Sequence, residues 1–275
     1  MSSEEIVEYT PEWTGERSAD GRPRVADAIL TRMRQVTTTQ AWGVVRGQGY
    51  ECAFEGGWMC THPDEVLVGR ALTAMYMPRR PVLRQVMEAK GEQAGCVGDQ
   101  ISWPIDMLVP GDVYVADVFG KIVQGPVIGD NLSVAILTNS GNGVVHDAAV
   151  RDLDGIRELE GFCSFVRGTH PSFASPTIML AGINCPIRIG AATCMPGDFV
   201  PPHLAEQVVK TSELITLRDR FGKLRLSETK YTPGQIDTRW TDDIERDFSA
   251  WLDEHQDDLP VPREAVQEML KERTW

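Results

Sequence analysis

Two periods of apolar spacing alternate along this chain, and the switches between them mark its elements. Residues 1–22 are polar and interrupted by Pro11, Gly15 and Gly21, which predicts an arm without much structure of its own. From Ala26 to Val36 the run ADAILTRMRQV places apolar residues at helical spacing. Glu65 to Met77 reads as a strand stopped by Pro78. Pro81 then opens a helix towards Lys90, standing in the first turn where proline is tolerated.

The centre is a succession of short strands and helices. Pro110-Gly111-Asp112 is a turn that feeds an alternating strand, Val113 to Asp117, ending at Gly120. Leu132 to Ser140 predicts a helix closed by Gly141 and Gly143, after which Val144 and Val145 begin a buried strand. Pro186 to Gly190 is a further short strand. Strands alternating with helices place the chain in the α/β class. Pro196-Gly197-Asp198 repeats the earlier turn, but Phe199 and Val200 run at once into Pro201 and Pro202. Two short matches do not establish a repeat.

The last quarter is helical in pattern. Leu204 to Phe221 carries Leu204, Val208, Leu214 and Leu217 on one side, and the chain breaks at Tyr231 to Gly234. Thr241 can cap a helix whose Ile244, Phe248, Trp251 and Leu252 form an apolar face. A final helix is predicted from Arg263 to Arg273. These faces need covering, so the helices are expected to pack on the main body or on another subunit, and not to form a separate domain.

Charge then excludes one class of partner. A formal net charge of −13, with 27 basic residues scattered among 40 acidic ones, leaves no basic surface for nucleic acid. No apolar run approaches the roughly 20 residues that span a bilayer. The opening MSSEE is acidic where a secretory signal is basic, so a cytoplasmic protein with no membrane partner is the expectation. None of the six cysteines forms a CxxC pair or lies beside a histidine at zinc-ligand spacing, and most are expected to be buried thiols.

The chemistry concentrates at two places. Asp130 follows Gly129 at a strand-to-helix turn, where glycine lets backbone N–H groups approach a ligand and a helix start favours an anion. Arg151-Asp152 follows an apolar strand, and strand ends are where α/β folds place ligands. One carboxylate from each element could share a hard cation such as Mg²⁺, while Arg151 holds a substrate carboxylate bidentately. The bland alternative is a surface Arg–Asp pair beside a helix-capping Asp130. His146, five residues before Arg151, could reach the site as a proton donor, or serve as a buried structural histidine. His170 could line the pocket opposite. His62 and His203 sit beside prolines and read as loop residues. Neither GxGxxG nor GxxxxGK[ST] occurs, so no nucleotide cofactor has a motif behind it.

Gly129-Asp130-Asn131-Leu132, followed by GVVHDAAV from Gly143 and then Arg151-Asp152, resembles the regulator of ribonuclease activity A-like family. That family includes class II 4-hydroxy-4-methyl-2-oxoglutarate/4-carboxy-4-hydroxy-2-oxoadipate aldolases. The 20 residues between Asp130 and Arg151 match the family's spacing, as do PGDVYVAD from Pro110, FVRG from Phe165, and Pro171. The resemblance covers residues 45–215. It implies an α/β, layered β/β/α swivelling-type single domain there, with an N-terminal arm and helix (1–44) and a C-terminal helical extension (216–275).

The resemblance also implies roles. Asp152 would be a direct ligand of Mg²⁺ or Mn²⁺, and Asp130 would reach the same metal through water. Gly129, Asp130, Asn131 and Leu132 would bind substrate, and Arg151 would hold its carboxylate or keto oxygen. Asp130 and Arg151 are then the expected catalytic pair. The aldolases add an acid from the neighbouring subunit, and Glu228 holds that place by position; its plainer reading is a solvated loop residue. The assembly implied is a homotrimer or hexamer. The expected activity is a metal-dependent lyase that cleaves or decarboxylates a small 2-oxo acid through a pyruvate enolate. No lysine for a Schiff base lies between Asp130 and Asp152. Two departures stand out. The family's aldolases carry an acid three residues after the Asp of the Arg-Asp pair, where this chain has Gly155 beside Asp154. The segment after Asp198 is also short by about ten residues, roughly a strand and its turn. The first departure points to the other class in the family, a non-catalytic regulator that docks on a ribonuclease.

Overall fold

The structure is a computed structural model that describes residues 1–198, 204–213, 215–216, 242–255, 262–264, 266 and 268. The chain divides into two compact units, one of Met1–Gln35 with Val45–Ala205 and one of Val36–Val44 with Glu206–Trp275.

The first unit is built on a six-stranded sheet, ordered β1 (Met59–Cys60), β5 (Ser164–Thr169), β4 (Val144–Val150), β3 (Asp112–Lys121), β2 (Arg70–Pro78) and β6 (Ile178–Ile183). The four central strands are parallel, and β1 and β6 close the two edges antiparallel. Alternation sorts the strand residues between two faces. Leu72, Ala74 and Tyr76 of β2, with Tyr114, Ala116 and Val118 of β3, join the larger core. Helices α4 (Pro81–Gln93), α5 (Trp103–Asp106), α6 (Asp130–Ser140) and α7 (Leu153–Arg157) belong with this face, contributing Trp103, Ile105, Ile136 and Ile156. On the other face Ala71, Val113 and Val115 pack with Ile187 and Ile189. Those two isoleucines belong to a hairpin of β7 (Ile187–Ile189) and β8 (Ala192–Cys194). The mixed α/β architecture expected from the sequence is therefore present, with helices on one face of the sheet and a small hairpin on the other.

Several expectations are corrected. The N-terminal residues are ordered, not an unstructured arm. α1 (Ser3–Tyr9) starts with a capping box between Ser2 and Glu5, and its Ile6 is only 1% exposed. Arg22, 2% exposed, donates to Asp112 Oδ2 at 2.9 Å and to Asp20 at 2.7 Å. The pairing spans ninety positions of sequence, so no local pattern could announce it. Strand β2 begins at Arg70, not at Glu65, because the chain turns at His62–Glu65 and then squeezes past β3 at Gly69. A β-carbon at Gly69 would lie 2.6 Å from the Gly111 carbonyl. The strand does stop at Pro78, as the pattern has it, with Pro78 paired to Ile178 of the edge strand.

Other elements lie close to where the pattern puts them. The 26–36 run yields α2 (Asp27–Met33), and α6 closes on Gly141 at φ +68°. The two Pro-Gly-Asp turns share their geometry. Gly111 and Gly197 both have φ +87°, and Asp112 and Asp198 each accept from the backbone N–H three residues earlier.

In the second unit, α3 (Thr38–Gly47) contributes its first residues, joined by a helix over 205–213 (α8) and by α9 (Asp242–Glu254). Ser212 donates to Gln40 Oε1 at 2.8 Å. Phe248, Leu252 and Val208 are buried, and Trp251 stacks on His255 with ring centroids 4.4 Å apart. Residues 217–221, Tyr231–Gly234, Thr241 and most of 263–273, on which helix, break and cap were expected, lie outside the described residues.

Candidate functional site

β3 and β4 are neighbouring parallel strands, and each hands over to a helix at its C-terminal end. After β3 the chain loops through Gln124, at φ +54°, to Gly129 and α6. After β4 it passes through Arg151 and Asp152 into α7. The two turns are tied together by a backbone hydrogen bond from Arg151 N–H to the Ile128 carbonyl, 3.2 Å. The pattern-derived residues Asp130 and Arg151-Asp152 thus come from the connections that follow two adjacent strands.

The contact between the turns runs through Gly129, which is buried. A β-carbon there would fall 2.4 Å from Asp152 Oδ2 and 2.9 Å from Arg151 Nε. Glycine is required because both side chains occupy the space that any other residue would fill. Asp152 adopts φ +53°, a left-handed backbone that aspartate tolerates better than most residues. Its carboxylate pairs with Arg151 Nε at 3.3 Å, and the two side chains are 45% and 38% exposed, open enough to meet a ligand. This exposed pair by itself contributes little to stability.

Asp130 is the first residue of α6, and its Oδ1 accepts from the Asn131 N–H at 2.7 Å. The Gly129 carbonyl accepts from both the N–H and the hydroxyl of Ser133, at 3.0 and 2.8 Å. Asn131 is exposed and Leu132 packs partly against the core. The carboxylate of Asp130 lies against Gly155 of α7, where a β-carbon would sit 3.1 Å from Oδ2 and 3.0 Å from Asp130 Cβ. The position where an acid was expected therefore abuts Asp130. Sequence reasoning registered Gly155 only as a missing acid, since the contact joins two helices.

The two histidines near the site have different surroundings. His170 follows β5 and donates its backbone N–H to the Val150 carbonyl at 3.0 Å, beside the start of the Arg151 turn. Its Nδ1 and the Ser172 hydroxyl are 2.8 Å apart. His146 is fully buried on the core face of β4, edge-on to Tyr114 at 4.6 Å between centroids, and is a structural residue. Neither ring nitrogen has a hydrogen-bond partner among the described residues. Burial holds its pKa down at about 3. On the opposite face of β4, Asp147 accepts from Arg167 Nε at 2.6 Å. Arg167 also pairs with Glu55 at 3.0 Å and lies 3.8 Å over the Trp58 ring. That knot, centred on the FVRG motif, ties β4 and β5 to the segment before β1, a role its sequence did not disclose. Glu228 lies outside the described residues, as does His203.

Asp152 and Asp130 are the carboxylates that could hold a hard cation here. Among the described residues no group of three or more His, Cys, Asp or Glu side chains converges. A metal here would rest on the oxygens of Asp152 and Asp130 and keep several waters, which Mg²⁺ and Mn²⁺ accept and a four-coordinate structural zinc does not. No helix among the described residues is long and apolar enough to cross a membrane.

Residues 24–201 match a family described as RraA-like, Aldolase/RraA. The chain is 29% identical over 152 residues to protein DlpA of Legionella pneumophila, covering 54% of this chain and 22% of that protein. It thus spans about a fifth of the length of that curated relative. Among solved structures it is similar to RraAS2 of Streptomyces coelicolor, titled an unusual member of the RNase ES inhibitor RraA protein family. There the TM-score is 0.62 at 22% identity, over 74% of this chain and 100% of that one. An uncharacterized protein from Pseudomonas syringae gives a TM-score of 0.60 at 22% identity, over 75% and 92%. At these identities the structural likeness establishes the fold.

Proposed function

Since this chain belongs to the RraA-like, Aldolase/RraA family, we propose that it is a divalent-metal-dependent lyase acting on a small 2-oxo acid. The observation that carries this reading is the crowding of Arg151 and Asp152 against Gly129, the residue that precedes Asp130 at the start of α6.

Asp152 and, through water, Asp130 would hold Mg²⁺ or Mn²⁺. When bound, such an ion supplies Lewis-acid polarisation of a 2-oxo group. The chain's own residues do the rest. Arg151 offers a planar fork that matches a carboxylate bidentately. The N-terminal end of α6, at Asp130 to Leu132, adds a partial positive charge beside that anion. Cleavage of a 4-hydroxy-2-oxo acid, or decarboxylation of an oxaloacetate-like one, leaves a pyruvate enolate, and Arg151 would stabilise its negative charge. Small-molecule substrate, metal and a homotrimer or hexamer that brings in Glu228 of the partner subunit belong to the same proposal.

The test is a metal-supplemented screen of 2-oxo acids that detects released pyruvate. Activity lost on EDTA treatment and in Asp152→Ala supports the reading; cleavage that survives both overturns it. Gly155 in place of an acid favours a second reading, a non-catalytic regulator that docks on a ribonuclease; the Streptomyces structure is titled a member of an RNase ES inhibitor family. A stoichiometric ribonuclease in pull-downs, with no pyruvate released from any substrate, would decide for it.

A further inference from the structure

Strand β1 pairs antiparallel with β5, Cys60 opposite Phe165. Cys163 lies two positions before Phe165 in the chain, so it is the diagonal neighbour of Cys60 on the same side of the ribbon. The two sulfurs lie 3.8 Å apart. Cys60 is partly exposed on a two-residue edge strand, whereas Cys163 is 2% exposed. The backbone around Cys163 is held from both sides. Its carbonyl accepts from Val144 at 3.1 Å, and the next carbonyl, that of Ser164, accepts from Thr61 at 3.0 Å. Next to Cys60, the Thr61 and Ser164 hydroxyls lie 3.0 Å apart. The two thiols are therefore kept facing each other by the strand pairing.

We propose that Cys60 and Cys163 are a peroxide-responsive thiol pair that closes to a disulfide. Cys60 is the thiol that meets the oxidant, because it is accessible. Cys163 is buried, and burial together with the neighbouring Cys60 pushes its thiol up to about 12, which withholds it from direct attack. The Cys60 sulfur displaces hydroxide from hydrogen peroxide and becomes a sulfenic acid; with the thiol proton this releases one water. The Cys163 sulfur then attacks the Cys60 sulfur, the S–O bond breaks, and the departing hydroxide takes the Cys163 proton as a second water. Two thiols are oxidised by two electrons in all, and one peroxide is reduced. Closing the bond brings the sulfurs to about 2.0 Å, a shift that the short edge strand β1 can supply. The bond would tie β1 to the end of the segment that begins at Asp152 and runs through α7. His62, next in the chain, already touches that segment, its Nε2 3.2 Å from the Arg157 carbonyl. The pair stands independently of the proposed lyase activity.

The experiment treats the reduced full-length chain with hydrogen peroxide, alkylates the remaining thiols after unfolding, and maps peptides without reduction. The expected product is a cross-linked pair of peptides containing Cys60 and Cys163, lighter by two hydrogens than their sum and separated by dithiothreitol. In Cys163→Ala, Cys60 is expected to stop at the sulfenic acid, trapped by dimedone. In Cys60→Ser, Cys163 is expected to stay a free thiol. The wild-type map decides alone should Cys163→Ala not fold. Cys60 found as sulfinic or sulfonic acid beside an alkylated Cys163, or both found reduced while Cys52 is oxidised, overturns the proposal.

Discussion

Gly129 and Asp152 lie in the connections that follow two adjacent parallel strands, and a β-carbon on the first would sit 2.4 Å from Oδ2 of the second. What it would strike is the carboxylate end of Asp152 and the stem of Arg151, side-chain atoms and not backbone. Gly129→Ala is thus expected to fold at a cost of about 1–3 kcal/mol while displacing Asp152 and Arg151. Pyruvate release should drop by about 100-fold, the order expected for an ångström-scale misplacement. Melting temperature and steady-state rate measured together check this; a variant as active as the parent would remove Gly129 from the site.

Asp152 and Arg151 should separate in their kinetics. Asp152→Asn keeps the shape but loses the ligand charge, so kcat is expected to fall by at least about 100-fold and added Mg²⁺ or Mn²⁺ should not restore it. Arg151→Lys keeps charge but loses the fork, and kcat/KM should fall by about 10- to 100-fold, in line with one charged hydrogen bond. Calorimetric titration with Mn²⁺ distinguishes the two: weakened in the first variant, little changed in the second.

Gly155 sits against Asp130, so its small size has a use of its own. Gly155→Ala pushes on Asp130 Cβ and Oδ2 at 3.0 and 3.1 Å, a few tenths of an ångström too close. The expected result is a loss of up to about 10-fold in rate with the melting temperature nearly unchanged. An unaltered rate would show that Asp130 has room to spare.

Arg22 and Asp112 are 2% and 1% exposed, and removing the arginine takes the buried carboxylate's hydrogen-bonded charge partner, leaving it the Val109 N–H and the more distant Arg70. Burial already pushes the Asp112 pKa up despite its arginine partners. Arg22→Met is expected to destabilise the chain by about 3–5 kcal/mol, the usual cost of breaking a buried pair, as read by urea unfolding.

His146 predicts an acid-side slope in stability. Burial holds its folded-state pKa at about 3, against 6.5 when exposed. Above 6.5 the imidazole is neutral in both states. As pH falls from 6.5 towards 3 the unfolded chain gains a proton that the folded chain refuses, so stability declines, by at most about 1.4 kcal/mol per pH unit. His146→Leu should flatten that slope. Urea unfolding at neutral pH and at the acid end of the window measures it.

Much of the sheet's interior could be anticipated because a strand buried on both sides is written locally. The apolar runs of β2 and β3, the glycine closing α6 and the paired Pro-Gly-Asp turns each depend on neighbours a few residues away. The spacing from Gly129-Asp130 to Arg151-Asp152 also belongs to the sequence, since one helix and one strand of ordinary length separate them. What local pattern could not contain was any pairing between distant segments. The polar N-terminal run looks like solvent-exposed chain until Asp112 is seen to receive Arg22. Gly155 looks like a lost acid until Asp130 is seen beside it. Cys60 and Cys163 are unremarkable thiols until β1 is laid on β5. Gly129 could be placed at the turn from sequence alone, but only the fold shows that it keeps clear the space where Asp152 and Arg151 meet. A side chain's periodicity reports which face is buried; which partner waits there is set by which strands lie side by side in the sheet.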